Sequence, residues 1–379
     1  MITGFSILFG TYFLCLVALI IGFRKLNRFS PKEITPNTSF TIIVPFRNES
    51  ENLPILLKSI SSLNYPSNLV TVFLVNDDSN DDSEEIIQKS IEESNFSIRM
   101  IQNNRVSNSP KKDAISTGVK HTTSEWIVTT DADCELPESW LKTFDVFIQN
   151  NRENNHNPVM ICAPVIYKSN GSFIETFQEL DGLSLQTVTM GSFGLNNPLL
   201  SNGANLAYRK DAFEQVDGFS GNNHIASGDD IFLLEKIKKA YPKQVAFLKS
   251  GDCTVYTKPQ TSWSQLINQR IRWASKTSKQ KNASSIILGL IVFLTNILFL
   301  AAPVLMVLNR DYVTIYLLLI VSKILIDYII IQQSAVCLKI DISFWKFSQL
   351  PFVYSFLTLI VVIKSFKGSY SWKDRQFHQ

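Results

Sequence analysis

Several familiar signatures are missing from this 379-residue chain. Its five cysteines, Cys15, Cys134, Cys162, Cys253 and Cys337, are odd in number and no pair has C-x-x-C spacing. That argues against both a disulfide framework and a zinc site, and implies a reduced, cytoplasmic setting for the middle of the chain. No G-x-G-x-x-G follows the first strand-like run and no G-x-x-x-x-G-K-[ST] occurs, so dinucleotide and P-loop binding have no support. The net charge is only +3, without an Arg/Lys tract interleaved with aromatics, so nothing points to nucleic acid. There is neither an internal repeat nor a low-complexity linker. A cleavable secretory leader carries its charges in front of the apolar run, whereas here Arg24, Lys25 and Arg28 follow it.

Apolar sequence is abundant and unevenly placed. Residues 2–23 and 284–308 carry no charge, 312–331 only Lys323 and Asp327, and 347–363 none. Because ~20 apolar residues cross a bilayer's hydrocarbon core, the first two are expected to span, the third also, and the short fourth, interrupted by Pro351, to be re-entrant or interfacial. The segment 1–28 is then an uncleaved anchor with its basic flank in the cytoplasm. Four full spans would place the tail, with Lys364, Lys367, Lys373 and Arg375, on the far side against the positive-inside rule; a re-entrant fourth segment removes the conflict.

Between the apolar ends, strand and helix patterns alternate. Strand-like runs occupy 40–45, 69–77, 97–102 and 125–133, and helical runs 49–63, 83–94 and 111–122. This alternation implies a parallel sheet covered on both faces, with ligands outside the carboxyl ends of its strands. Three of those ends are rich in polar and acidic residues: "PFRNES" after the first, "NDDSNDDS" after the second, "DADCE" after the fourth. Asp131 and Asp133 suit Mg2+ or Mn2+, which complete their shells with diphosphate oxygens and water; a solvated turn is the plain alternative. Asp77 is placed to accept hydrogen bonds from a base or ribose, and Asp82 or Ser83 to cap the next helix. Lys111 opens a helix, where the dipole disfavours a cation unless an anion is near. The "SNGANLAYRKDAF" stretch (201–213) offers small residues, Gly203, Ala204 and Asn205, that let a ligand approach the backbone. Asp229 suits the start of the helix after it, and the adjacent Asp230 is a candidate general base.

Just before the last apolar block stands "NQRIRWASK" (268–276). Gln269, Arg272 and Trp273 lie at i, i+3 and i+4, on one helical face that suits an anion better than a core. Arg270 lies off that stripe and reads as part of an interfacial belt.

In this order, "VPFRNE" (44–49), "VNDDSNDD" (75–82), "KKDAISTG" (111–118), "TDAD" (130–133), "SNGANLAYRKDAF", "GDD" (228–230) and "QRIRW" (269–273) resemble the motifs of membrane-bound family 2 glycosyltransferases. The resemblance implies an open, GT-A-like mixed α/β sheet with helices on both faces, a nucleoside-diphosphate sugar donor, Mg2+ or Mn2+, and inversion at the anomeric carbon. Pro45, Glu49 and Asp77 would then bind a uridine nucleotide, and Lys111 would approach the donor. Asp131 and Asp133 would hold the metal diphosphate; Asp230, beside Asp229, would be the base; Gln269, Arg272 and Trp273 would close over donor and acceptor. Asn76 stands where the family's acidic pair begins, and Asp229 where a Glu is usual. The expected divisions are a cytoplasmic catalytic domain at 40–260, an interfacial helix at 261–283, membrane segments at 284–366 and a basic tail at 367–379. Few spans and a tail similar to the lipid-glucosylating, ceramide glucosyltransferase-like branch favour a membrane lipid as acceptor; a polysaccharide synthase and an inactive scaffold are the alternatives. Frequent Lys, Asn, Ile and Ser suggest a bacterial plasma membrane.

Overall fold

A computed structural model describes residues 2–223, 225–277, 282–365, 369–372 and 375–378. A long apolar helix, α1 (Ile2–Lys25), precedes β1 (Phe40–Phe46), α2 (Leu53–Ser61), β2 (Val70–Asn76), α3 (Ser83–Glu93), β3 (Ser97–Gln102), α4 (Pro110–His121) and β4 (Trp126–Thr129). Next come β5 (Cys134–Glu135), α5 (Trp140–Glu153), β6 (Met160–Cys162), β7 (Val165–Tyr167), α6 (Phe173–Gly194), β8 (Leu206–Arg209), α7 (Lys210–Gln215), α8 (Asp229–Ala240), β9 (Val245–Phe247) and β10 (Val255–Thr257). The chain closes with α9 (Trp263–Thr277), α10 (Ala283–Leu308), α11 (Val313–Leu338), α12 (Phe344–Ser348), α13 (Leu350–Ser365), and the paired strands β11 (Ser369–Trp372) and β12 (Arg375–His378). Of the expected basic tail, Lys367 and Lys373 lie outside the described residues.

The main sheet has seven strands in the order β3-β2-β1-β4-β8-β6-β9. Its first four are parallel, β8 runs antiparallel to both neighbours, and β9 is parallel to β6. The parallel sheet read from strand–helix alternation therefore covers half of a mixed one. Successive side chains of a strand face opposite ways. Ile42 and Val44 of β1 join a core with Leu53, Leu56 and Leu57 of α2 and Trp140 and Phe144 of α5. Ile43, between them, joins Ala114, Ile115 and Val119 of α4 on the other face. Burial on both faces is why β1 reads as an unbroken apolar run.

Two expected boundaries move for physical reasons. β4 ends at Thr129, its partner across Ile43, and Asp131 and Asp133 leave the sheet, because an unpaired carboxylate between strands would be costly. α2 starts at Leu53 rather than Glu49, with Pro54 in its first turn.

The core containing Ile43 and α4 continues without interruption into Phe23 of α1, Ile331, Ala335 and Leu338 of α11, and Phe347, Leu350 and Val361 of α12 and α13. α6 is the bridge. Gly22 of α1 meets Gly191 and Gly194 of α6 so closely that a Cβ on any of them would collide with the opposing backbone. Farther along, the Thr187 hydroxyl donates to the Ile330 carbonyl of α11 at 2.7 Å.

Among the described residues, four helical stretches are long and apolar enough to cross a membrane: Ile2–Lys25, Ala283–Leu308, Arg310–Leu338 and Phe344–Ser365. The last follows a particular course. Near its start Phe352 lies 5.1 Å from Phe299, and the Ser355 hydroxyl donates to Asn296 at 2.7 Å, both partners being in the middle of α10. Just past its end, β11 packs on α9. α13 thus runs from mid-α10 back to α9, while by length and composition the stretch Phe344–Ser365 could also cross a membrane. Pro351, at the second position of α13, fits a helix start rather than an interruption.

Replacing Gly191 by Leu should lower the thermal midpoint in detergent by several degrees or abolish the folded monomer, since such overpacking costs ~1–3 kcal/mol or more. Gly4→Leu, at a position with open space around it, should leave the midpoint unchanged.

Candidate active site

At the carboxyl ends of the strands, Lys111 in the first turn of α4 reaches two carboxylates: Asp131 Oδ1 at 2.7 Å and Asp229 Oδ2 at 3.2 Å. These neighbours account for a cation at a helix start. Burial disfavours the ammonium, but Asp131 and Asp229 outweigh it and hold Lys111 well above the ordinary lysine range. Asp229 opens α8 directly after Gly228, whose left-handed conformation (φ 82°) suits glycine. A Cβ on Gly203 would lie 2.6 Å from Asp229 Oδ2 and 3.4 Å from Lys111 Nζ. Gly203 thus makes room for this ion cluster, and with Ala204 it also lines the cavity beside it. Asn205 is a structural pin: it donates to the Pro164 and Cys253 carbonyls at 2.8 Å and accepts from Trp140 Nε1 at 2.9 Å.

Asp230, nearly buried, turns Oδ1 to the backbone N–H of Ile231 at 2.7 Å. Asp133 sits beside the Cys134 thiol, which burial, with Asp133 and Asp131 nearby, pushes well above its usual range and keeps protonated. From α9, Gln269, Arg272 and Trp273 face the same space. Among the described residues the buried Gln269 side-chain oxygen has no hydrogen-bond partner. Such an orphan costs free energy unless a ligand supplies a donor.

Arg270 departs from the belt expected of it. Its guanidinium is buried, 2.5 Å from Asp181 Oδ2 of α6, and lies 4.3 Å over the Trp273 ring. Burial raises the Asp181 carboxyl above its ordinary value while Arg270 pulls it back down. Asp181 was missed in the sequence; the available signal was a lone acid between Leu180 and Gly182, with an arginine elsewhere in need of a counter-charge.

A cavity of about 590 Å3 collects Lys111, Asp131, Asp133, Asp181, Asp229, Asp230, Gln269, Arg272 and Trp273 along one part of its wall. The same cavity continues between the long helices, where Leu16, Leu185, Val188, Leu288, Val292, Ile330 and Leu350 line it. Pro45, Glu49 and Asp77 are not among its lining residues; they stand at the ends of β1 and β2.

The acidic loop there also braces its own backbone. Asp77 Oδ1 accepts from Asn103 Nδ2 at 2.7 Å with Arg105 Nε at 3.7 Å, and Arg47 donates to the Asp77 and Asp78 carbonyls. Asp81 accepts from the N–H groups of Ser50 and Ser83; burial works against its charge, but these bonds and the Ser83 hydroxyl lower its carboxyl to about 2. Asp82 occupies the cap position without a side-chain capping bond, and the Ser83 hydroxyl accepts from Glu49 N at 3.0 Å. Glu49 itself accepts from Asn52 at 2.6 Å. Asn76 donates to Glu84 and accepts from Ser79 N, a pairing an aspartate could not complete because it has no N–H to offer.

With this geometry in place, residues 41–216 match the family described as Glycosyl transferase family 2. Residues 41–216 are thus similar to a glycosyl transferase family 2 domain. The matched stretch holds Asp131 and Asp133 and stops before Asp229, Asp230 and α9. Glycosyltransferase AglE of Haloferax volcanii is 23% identical over 53% of this chain and 61% of its own length. A 4,4'-diaponeurosporenoate glycosyltransferase of Staphylococcus haemolyticus is 27% identical over 51% of this chain and 50% of its own. The chain thus spans about half to three-fifths of these relatives. Among solved structures, the mannosyltransferase PcManGT of Pyrobaculum calidifontis, in complex with GDP-Man and Mn2+, superposes with a TM-score of 0.56 at 15% identity, covering 97% of this chain and 99% of that one. The likeness shows a shared fold, a GT-A-like mixed sheet with helices.

Among the described residues no group of three His, Cys, Asp or Glu side chains is arranged to hold a metal unaided. Two carboxylates from one loop on a cavity wall do fit Mg2+ or Mn2+ provided ligand oxygens complete the shell.

Breaking the buried Arg270–Asp181 pair should cost ~3–5 kcal/mol, whereas replacing both members by apolar residues is near neutral. Asp181→Leu should therefore lower the thermal midpoint markedly and Asp181→Leu/Arg270→Met restore most of it; equal losses in both would contradict the pairing.

Proposed function

We propose that this protein transfers a sugar from a nucleoside-diphosphate sugar, UDP-linked in the first instance, to a hydroxyl of a membrane lipid with inversion at the anomeric carbon. The observation that carries this reading is the continuity of one cavity from the carboxylates and the α9 stripe to apolar walls between the long helices. A water-soluble donor and a lipid could meet there without either leaving its own solvent. The relative named for 4,4'-diaponeurosporenoate and the neighbour holding GDP-Man and Mn2+ support the two substrate classes. The catalytic domain would lie on the cytoplasmic side of a bacterial plasma membrane.

In this reading Asp230 takes the proton of the attacking hydroxyl. Displacement builds positive charge on the sugar ring and negative charge on the departing diphosphate. Arg272 bonds the diphosphate oxygens, and Gln269 and Trp273 position donor and acceptor. Lys111 holds Asp131 and Asp229 in place and offsets their charge beside an anionic donor. Mg2+ or Mn2+, held by Asp131 and Asp133, would neutralise the leaving group. Pro45, Glu49 and Asp77 would form the nucleoside end. Attack and departure on opposite faces of the ring need no covalent intermediate.

Membranes containing the protein, supplied with labelled UDP-sugars, should move label into the organic lipid phase only with Mg2+ or Mn2+. Asp230→Asn should reduce transfer ~100-fold or more. Full transfer by that variant would sink the assignment of the base; label in an insoluble polymer would assign a polysaccharide synthase instead, and no transfer from any donor would leave a scaffold.

A further inference from the structure

The third apolar helix contains an ion pair that the proposed chemistry does not use. Between Val313 and Leu338, α11 carries only Lys323 and Asp327 as charged residues, both near its middle. Asp327 Oδ1 accepts from the Tyr12 hydroxyl of α1 at 2.5 Å, and Oδ2 lies 2.7 Å from Lys323 Nζ. Lys323 is sealed, with its side chain 1% exposed and its ammonium 4.7 Å from the centre of the Phe299 ring. Asp327 keeps 18% exposure, and Tyr12 and Asp327 both line the cavity that holds the candidate catalytic carboxylates. Ionisable side chains inside a membrane span are costly and mark ligand pathways, facing a cavity or one another. A helix staple would need no opening to the cavity.

We infer that Tyr12 and Asp327, backed by Lys323, form a polar subsite in the membrane half of the cavity that binds a second hydrogen-bond donor of the acceptor lipid, a hydroxyl or amide N–H lying among its apolar chains. The chemistry of the group selects this ligand. A carboxylate has about four lone-pair positions, and two are occupied here. Lys323 balances the charge, so neither a cation nor an anion is called for. What the group can still take is an uncharged donor, and a site built for one discriminates against an analogue lacking it. The inference rests on the lipid-acceptor reading for its biological meaning but concerns binding, which is measurable without sugar transfer.

The test uses the full chain in lipid nanodiscs and three long-chain primary alcohols of equal length: one with an internal amide, one with an internal hydroxyl, and the ester isostere of the first, which has no internal donor. Binding without sugar donor, read as thermal stabilisation, should favour the amide and the hydroxyl about 10-fold over the ester, the worth of one net hydrogen bond. Lys323→Leu/Asp327→Leu should erase that preference while leaving ester binding unchanged. A version of the amide lipid with a photoreactive diazirine beside the amide should cross-link in the wild-type chain to α1 or α11 near Tyr12 or Asp327, which needs no folded variant. Equal binding of all three lipids, a preference that survives the double substitution, or cross-links confined to other segments would overturn the inference. Preferential binding and correct cross-links without glycosylation of any lipid would instead defeat the proposed transfer and leave the subsite standing.

Discussion

Lys111 between Asp131 and Asp229 is the contact on which the site depends. It joins three segments distant in the chain: the start of α4, the loop after β4 and the start of α8. Without the ammonium, two carboxylates would face each other in a partly buried wall where like charges repel. Gly203 leaves the space, Gly228 supplies the backbone turn, and Asp230 follows Asp229 into the cavity because α8 begins there. The candidate base and the candidate metal-binding loop thus owe their relative placement to one cation.

A second constraint sets this cluster against the long apolar helices. α6 belongs to the sheet domain by sequence and to α1 and α11 by packing, through backbone approach at Gly22, Gly191 and Gly194. From the same helix Asp181 holds Arg270, which stacks on Trp273 of α9. Movement of α6 would therefore shift the α9 stripe and the cavity wall together. This shared core makes the sheet domain and the apolar helices one packed body, in which an apolar wall and a polar wall of the cavity meet.

Much of this arrangement was legible from local pattern. β3 falls where its alternation placed it, and β1, β2, α3 and α4 within a residue or so, because their apolar periodicity is strong and unmixed. The α9 stripe was legible because i, i+3 and i+4 spacing is a one-helix property. The antiparallel β8 was not: its register against β4 and β6 depends on the long excursion through α6, whose low amphipathicity hides which sides it packs. The ion-pair partners were hidden for a similar reason. Lys111 and Lys323 each advertised a charge in an awkward place, while Arg270 read as part of an interfacial belt; Asp229 and Asp181 lie 118 and 89 residues away in the chain from Lys111 and Arg270, and only Asp327, one helical turn from Lys323, was near enough to be paired by spacing. The Asp-rich loop after β2 carries a second role that spacing does not reveal, since some of its polar groups brace its own backbone.

The central claim is that a lipid reaches the carboxylate cluster through the membrane half of the cavity. Narrowing that half with Leu288→Trp or Val292→Trp, and measuring donor binding and sugar transfer to lipid in the same preparation, tests it most directly. The account predicts that nucleoside-diphosphate sugar still binds with unchanged affinity while transfer to lipid falls at least ~10-fold. Undiminished transfer through a filled cavity, with the variants folded and donor bound, would contradict it.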